Sequence, residues 1–320
     1  MVIKLDIAYN YWLCNDLGGG MSKIAVLIVT YNPVLSILDD LIGKIKKAKY
    51  NLEIFLVDNA SENSNILKVK YKDESNILYL DENMGLAGAQ NAGLKKILRT
   101  DCEAVLFFDQ DTSPTDAFFT NLIESMSKLA QQGEKIGAIG PVFYDSRTGT
   151  KYPFILLKGM RAKKVFPRGD VPLKVSFLIN SGMLVPVSTL KDIGLMKEEL
   201  FIDYVDIEWC LRAASKKFNF YAIPSATMSH AIGDERKSVL GREISIHSPL
   251  RRYYLARNSI YMLRLPYVPL GYKIREILFS VLRTVIFIST VNNKKTYINF
   301  ILKGWSDGIK RNYGKYIGIR

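Results

Sequence analysis

The chain has 320 residues, 48% hydrophobic and 23% charged, the composition of an ordinary globular protein able to bury a substantial core. Its net charge of +13 favours polyanionic partners, which include nucleic acid, phosphorylated metabolites and anionic lipid surfaces, and composition does not choose among them. The three cysteines Cys14, Cys102 and Cys210 lie far apart without metal or redox spacing, which excludes a disulfide framework and predicts reduced thiols in a cytoplasmic protein.

Residues 1–22 read as an extension. Asp6 and Asp16 interrupt its apolar residues and it runs through Gly18-Gly19-Gly20, unlike the basic-then-apolar layout of a secretory signal, and Met21 offers an alternative start. From Lys23 onward strands alternate with helices. Ile24 to Val29 is a continuous apolar run closed by Thr30-Tyr31-Asn32-Pro33, and Leu35 to Lys47 has helical spacing. A second run, Leu52 to Val57, stops at Asp58-Asn59-Ala60-Ser61; a third is Ile77 to Leu80. Leu86 to Leu98 reads as a helix, Ala104 to Phe108 as a strand ending in Asp109-Gln110-Asp111, and Phe218 to Ile223 as a later strand. Apolar strands separated by helices predict an α/β fold with a mostly parallel central sheet flanked by helices, and ligands then bind at the carboxyl ends of its strands. Every motif above lies at such an end.

An Asp-x-Asp after a buried strand sets hard oxygen ligands where a divalent cation and a diphosphate can meet. The same residues also suit a solvated turn with Thr112-Ser113-Pro114. Strand alternation lets only one of the two aspartates point straight at a metal. Asp58 can accept the imide N–H of a thymine or uracil ring, or form an Asx-turn with Asn59. Gly85 and Gly88 permit close backbone approach, but their pattern is neither a dinucleotide fingerprint nor a Walker loop. In Phe201 to Arg212 a helix would place Asp203 and Asp206 on one face and Glu208 elsewhere, although acids at a helix start are also what the dipole favours. His230, one of only two histidines, reads on its own as a structural histidine.

Taken in order, Val29-Thr30-Tyr31-Asn32-Pro33, Val57-Asp58-Asn59-Ala60-Ser61, Asn83-Met84-Gly85-Leu86-Ala87-Gly88-Ala89-Gln90-Asn91-Ala92-Gly93, Phe107-Phe108-Asp109-Gln110-Asp111 and Phe201-Ile202-Asp203-Tyr204-Val205-Asp206-Ile207-Glu208-Trp209-Cys210-Leu211-Arg212 resemble the motif series of glycosyltransferase family 2. The likeness is strongest to its bacterial rhamnosyltransferases, which build O-antigen and other surface polysaccharides. It implies a GT-A-type nucleotide-diphospho-sugar transferase domain over residues 23–264, followed by a basic helical region over 265–320. It further implies a dTDP-L-rhamnose donor, a polyprenyl-diphosphate-linked glycan acceptor, inversion at the anomeric carbon, and Mg²⁺ or Mn²⁺. The residues implied to bind the sugar nucleotide are Thr30, Tyr31, Asn32, Asp58, Asn83, Gly85, Asn91, Asp109 and Arg252. Arg252 stands in His247-Ser248-Pro249-Leu250-Arg251-Arg252-Tyr253-Tyr254, which with Arg257-Asn258 resembles a stretch of that subgroup whose cations hold a donor or acceptor diphosphate, and equally suits an ordinary basic helix face. Asp111 and His230 are the implied metal ligands and Asp206 the base. Val205 departs from the acidic residue usual at its position, which leaves Asp203 and Glu208 as acidic neighbours of Asp206. Asn180-Ser181 fits a segment beneath the acceptor, or a plain strand edge.

Beyond Leu265, Tyr, Leu, Ile and Phe interleave with Lys and Arg, as in Tyr272 to Phe279. An amphipathic basic helix suits peripheral attachment to the inner face of the cell membrane, and it equally suits a dimerisation helix, so self-association stays open. No apolar run reaches the roughly 18 residues of a membrane span; the nearest, Ile277 to Thr290, contains Arg283. A UDP-hexose donor is the alternative within the enzyme class. A basic nucleic-acid-binding protein is the alternative outside it, but no aromatic-basic reading motif is present and no nucleic acid partner is expected.

Overall fold

The computed structural model describes residues 23–72, 76–145, 149–230, 235–239, 242–246, 248–291 and 293–318. In chain order the elements are β1 (Ile24–Thr30), α1 (Leu35–Lys47), β2 (Leu52–Asp58), α2 (Ser64–Lys70), β3 (Ile77–Tyr79), α3 (Gly85–Ile97), β4 (Ala104–Asp109), β5 (Ser113–Pro114) and α4 (Phe118–Gln131). There follow β6 (Ile136–Asp145), β7 (Phe154–Lys158), β8 (Arg161–Val165), β9 (Leu173–Val175), β10 (Leu184–Pro186), α5 (Val187–Ile193), a 3-10 turn at Glu198–Leu200 and α6 (Val205–Ser215). The chain continues through β11 (Asn219–His230), β12 (Glu235–Val239), β13 (Arg242–Ile246), α7 (Pro249–Arg264), α8 (Leu270–Thr290) and α9 (Lys294–Lys310).

The central sheet has the order β3-β2-β1-β4-β10-β6-β11-β5, with β9 on β11. It is parallel from β3 to β4 and again between β6 and β11, while β10, β5 and β9 run antiparallel. Because alternate residues of a strand face opposite sides, the apolar run of β1 feeds two cores at once. Ala25 and Leu27 join Phe55, Val57 and α3 on one side; Ile24, Val26 and Ile28 join α1 and α4 on the other. Helix α3 lies close on the sheet because Gly93 is bare: a Cβ there would sit 2.4 Å from Leu27 Cδ1. The predicted strand from Phe218 extends to His230, with an irregularity between Ile223 and Thr227 around Pro224. The basic helical region is folded onto the rest. Gly304 and Gly308 of α9 press on α7, where added Cβ atoms would meet Tyr253 O at 2.4 Å and Ile260 Cβ at 2.8 Å.

Candidate active site

The parallel register aligns Thr30 with Asp58 and Val29 with Asp109, so the ends of β1, β2 and β4 form one rim. At that rim Asp58 is fully enclosed. Its carboxylate accepts from Thr30 Oγ1 (3.2 Å), Ser61 Oγ (2.5 Å) and the Ser61 N–H (3.3 Å). Ser61 Oγ in turn accepts from the Asn32 N–H (2.8 Å), and Asn32 Oδ1 accepts from the Glu62 N–H (2.7 Å). Asp58, Thr30 and Asn32 therefore lock two strand ends together, and the Asp58 carboxylate faces these partners. Tyr31 is held by its backbone, with the Gln110 amide taking both its N–H (2.7 Å) and its carbonyl (3.1 Å), while its ring stays exposed. Gln110 was not singled out in the sequence. The residue between the two aspartates clamps the neighbouring strand.

A second latch joins β2 to the start of α3. Asn59 donates to Asn83 Oδ1 (3.1 Å) and Gly85 O (3.3 Å) and accepts from the Met84 N–H (2.8 Å), while Asn83 Oδ1 also accepts from the Gly85 N–H (2.8 Å). Gly85 has φ +72°, and a Cβ on it would lie 2.4 Å from Phe201 O. Gly85→Ala combines a left-handed penalty with a backbone clash and is expected to cost about 2–4 kcal/mol. Urea denaturation measures this, and because the clashing carbonyl belongs to the acidic loop, turnover should fall as well. Asn91 is buried: its amide donates to Met196 O (2.9 Å) and Glu198 Oε1 (2.8 Å) and accepts from the Met196 N–H (2.9 Å). That commitment holds the loop after α5, so any effect of Asn91 on a sugar runs through that loop.

The acids converge beside β10. Asn180 donates its side-chain amide to Asp109 Oδ1 (3.4 Å) and its backbone N–H to the Asp206 carboxylate, bridging the two. Ser181, buried next to it, accepts from the Asp109 N–H (3.3 Å) and shares a hydrogen bond with Thr112 Oγ1 (2.7 Å). Of the two readings of Asn180-Ser181, the observed contacts are with catalytic-candidate acids. Asp206 is half-buried, and its carboxyl is pushed up to about 6. Burial is the main cause, and the charges of Asp109 and Asp203 add to it against the N–H groups of Ile207 and Asn180. Glu208 plays no part there. It is fully buried on another face of α6, paired with Arg212 (2.9 Å) and accepting from the Tyr267 hydroxyl.

Asp111 is exposed in the turn after β4. Antiparallel pairing of Ser229 with Ser113 brings the backbone of His230 opposite the segment that follows Asp111. The His230 side chain and all of His247 lie outside the described residues. Among the described residues no three His, Cys, Asp or Glu side chains form a ready metal cage. The hard carboxylates of Asp109 and Asp111 nevertheless suit Mg²⁺ or Mn²⁺, and the repulsion that Asp109 exerts on Asp206 is what a cation at this rim would relieve.

Residues 199–206 form a strained loop. Phe201, Asp203 and Tyr204 all have positive φ (63°, 62° and 65°), a conformation costly for residues with a Cβ and kept only where the surroundings impose it. Helix α7 does so. The Asn258 amide donates to Leu200 O (2.9 Å), Ile202 O (2.8 Å) and Asp203 O (3.1 Å). Arg257, fully buried, donates to Glu199 O (3.0 Å), Leu200 O (2.8 Å), Asn258 Oδ1 and Gly314 O. Arg251 pairs with Asp203 (3.1 Å), and from α8 Glu276 accepts from the Tyr204 hydroxyl (2.5 Å). Arg252, expected at the diphosphate, is packed instead with its guanidinium 3.5 Å from the centroid of Phe287 on α8. Burial and the nearby Arg283 pull its pKa down to about 10. Arg251 hydrogen-bonds an acid of the loop, and the charge of Asp203 also acts on Arg252.

The family described as "Glycosyl transferase family 2" matches residues 25–194. The "dTDP-rhamnosyl transferase RfbF" of Shigella flexneri is 38% identical over 291 residues, 90% of this chain and 96% of that protein. Among solved structures, that of GalNAc-T7 with UDP, GalNAc and Mn²⁺ superposes with a TM-score of 0.54 at 15% identity, covering 92% of this chain and 57% of that one. The mannosyltransferase PcManGT from Pyrobaculum calidifontis, in complex with GDP-Man and Mn²⁺, gives 0.53 at 14% identity, covering 95% and 92%. These two show a shared GT-A-like fold. With a family match over more than half its length and a relative of this identity along nearly all of it, the chain belongs to glycosyl transferase family 2.

Proposed function

We propose that this glycosyltransferase moves L-rhamnose from dTDP-L-rhamnose, with inversion, to a hydroxyl of a polyprenyl-diphosphate-linked glycan at the inner face of the cell membrane. The observation that carries the chemistry is Asp206: a half-buried carboxyl, raised to about 6, tied through Asn180 to the rim aspartate Asp109. Such a group is ionised at neutral pH yet basic enough to take a proton from an alcohol. The choice of sugar and nucleotide is supported by the 38% identical dTDP-rhamnosyl transferase.

Asp206 accepts the proton of the acceptor hydroxyl as its oxygen bonds to the anomeric carbon, and the bond from that carbon to the diphosphate breaks on the opposite face. Asp203 is held by Arg251, which fixes the loop in the shape that presents Asp206. Tyr31, with its ring exposed and its backbone clamped, offers a flat surface to the nucleobase, and the Asp58, Thr30 and Asn32 network keeps that surface in place. Asp109 and Asp111, with His230 as a third candidate, would hold Mg²⁺ or Mn²⁺, which when bound supplies positive charge against the departing diphosphate.

A panel of sugar nucleotides assayed with and without EDTA, scored by release of nucleoside diphosphate, tests the reading. Turnover is expected with dTDP-L-rhamnose, abolished by EDTA and restored by Mn²⁺ or Mg²⁺. Turnover indifferent to EDTA would overturn the metal assignment, and preference for a UDP-hexose would overturn the sugar donor.

A further inference from the structure

Helix α8 runs unbroken from Leu270 to Thr290, and its outward side carries Leu270, Ile274, Ile277, Leu278, Val281 and Val285. Their spacing is that of one helical face, so they form a continuous apolar stripe. All six are exposed, Leu278 by 65% and Val285 by 62%, while Tyr272, Glu276 and Phe287 occupy the buried side. Ile277 and Val281 also border an apolar cavity of about 270 Å³ that Ile260, Trp305 and Ile309 close from α7 and α9.

The β7–β8 hairpin extends this surface. Its tip meets the start of α8 so closely that a Cβ on Gly271 would lie 2.5 Å from Gly159 O and 2.6 Å from Met160 Cα. The hairpin region adds exposed Met160 (58%) and Phe166 (50%) together with exposed Lys158, Arg161, Lys163, Lys164 and Arg168. No acid occurs between Lys151 and Gly169. From Leu265 onward the only acids are Glu276 and Asp307, and both are buried and paired inward: Glu276 with Tyr204 and Arg283, Asp307 with Tyr253, Lys303 and Asn312. Asp170, exposed two positions past Arg168, borders this surface, and the charged groups that the hairpin and α8 turn to solvent are cations.

We propose that the hairpin tip and the outward face of α8 together form a seat for an anionic lipid bilayer, the apolar stripe entering the acyl boundary and the flanking cations meeting lipid phosphates. A long aliphatic stripe has no use on nucleic acid, which is gripped by cations and stacking aromatics. A symmetric contact with a second copy would set this cationic surface against itself. The inference deepens the proposed function by naming the surface that brings the site to a lipid-linked acceptor, and it is tested without any sugar transfer.

The test is co-sedimentation of the full chain with vesicles. Truncation is unsuitable, because removing residues 266–320 also removes Glu276 and Gly314, which hold the acidic loop. The protein is expected to bind mixed phosphatidylglycerol and phosphatidylcholine vesicles, and to bind phosphatidylcholine alone, or the mixture in high salt, at least ~10-fold less. Leu278→Glu with Val285→Glu, and separately Lys163→Glu with Lys164→Glu, should each lower binding ~10-fold or more with unchanged urea midpoints. Equal binding to both vesicle types, wild-type binding by the variants, or a dimer in light scattering that Leu278→Glu dissociates would overturn the proposal. Loss of vesicle binding with dTDP-L-rhamnose turnover intact in a soluble assay would leave the proposed function standing; bound but inactive protein would do the reverse.

Discussion

Asp206→Asn is expected to lower transfer by about 10²–10⁴-fold while leaving affinity for the sugar nucleotide close to that of the parent. The amide keeps the shape and still accepts from the Ile207 and Asn180 N–H groups, but it cannot take a proton. In the parent, kcat/KM should rise with pH as this carboxyl ionises, with its midpoint at or below about 6, because a cation at the rim would offset the charge of Asp109. Stability should move the other way. A carboxyl raised from the ordinary range near 4 to about 6 binds its proton more tightly folded than unfolded, so the folded state loses stability as pH climbs between those values and carries the full cost above them. At pH 8 the Asn variant should therefore be more stable than the parent by up to about 3 kcal/mol, and the gain should shrink toward pH 4. Urea denaturation in EDTA at several pH values measures it. A variant that still transfers sugar would remove Asp206 from the base role, and a gain that did not depend on pH would remove its titration from the account.

The second large effect is expected at Arg257. Arg257→Met should cost about 3–5 kcal/mol, because the carbonyls of Glu199, Leu200 and Gly314 and the Asn258 oxygen lose a buried charged partner together. The strained run from Phe201 to Tyr204 would then relax, and kcat should drop further than the sugar-nucleotide affinity. Arg257→Lys should recover only part of the loss, since one ammonium group cannot serve carbonyls spread around a planar fork. Chemical denaturation and single-turnover kinetics on the three proteins separate these effects. A Met variant within about 0.5 kcal/mol of the parent would show that the loop holds its own shape.

The rim of the sheet was legible because its signals are local. Each apolar run from β1 to β4 ends in its own polar cluster, and cover on both faces explains why the runs of β1 and β4 carry no polar residue; in β2, Glu53 lies near the strand start, where it pairs with Lys23. What joins the rim is not local. Gln110 meets Tyr31 across 79 positions, Arg257 meets Gly314 across 57 and Tyr204 meets Glu276 across 72, and no spacing rule reports such pairs. The acidic run from Asp203 to Glu208 shows both sides of this. Helical periodicity separated Glu208 from Asp206 correctly, but only the fold reveals that Glu208 serves Arg212 and Tyr267. In α8, Arg283 looked like an interruption of an apolar stretch; it reaches Glu276 at 2.5 Å, and the helix passes through it. No described helix is long and apolar enough to cross a membrane.

Gly314 receives Arg257 and donates its own N–H to Glu199 O (2.9 Å), and the Tyr316 N–H reaches the Tyr254 hydroxyl (2.8 Å). A ribosome must therefore have polymerised the chain past these positions before the acidic loop can take its working shape. A half-made polypeptide that ends before α9 lacks these holds on the loop, so sugar transfer is expected only after α9 and the residues behind it have packed into place.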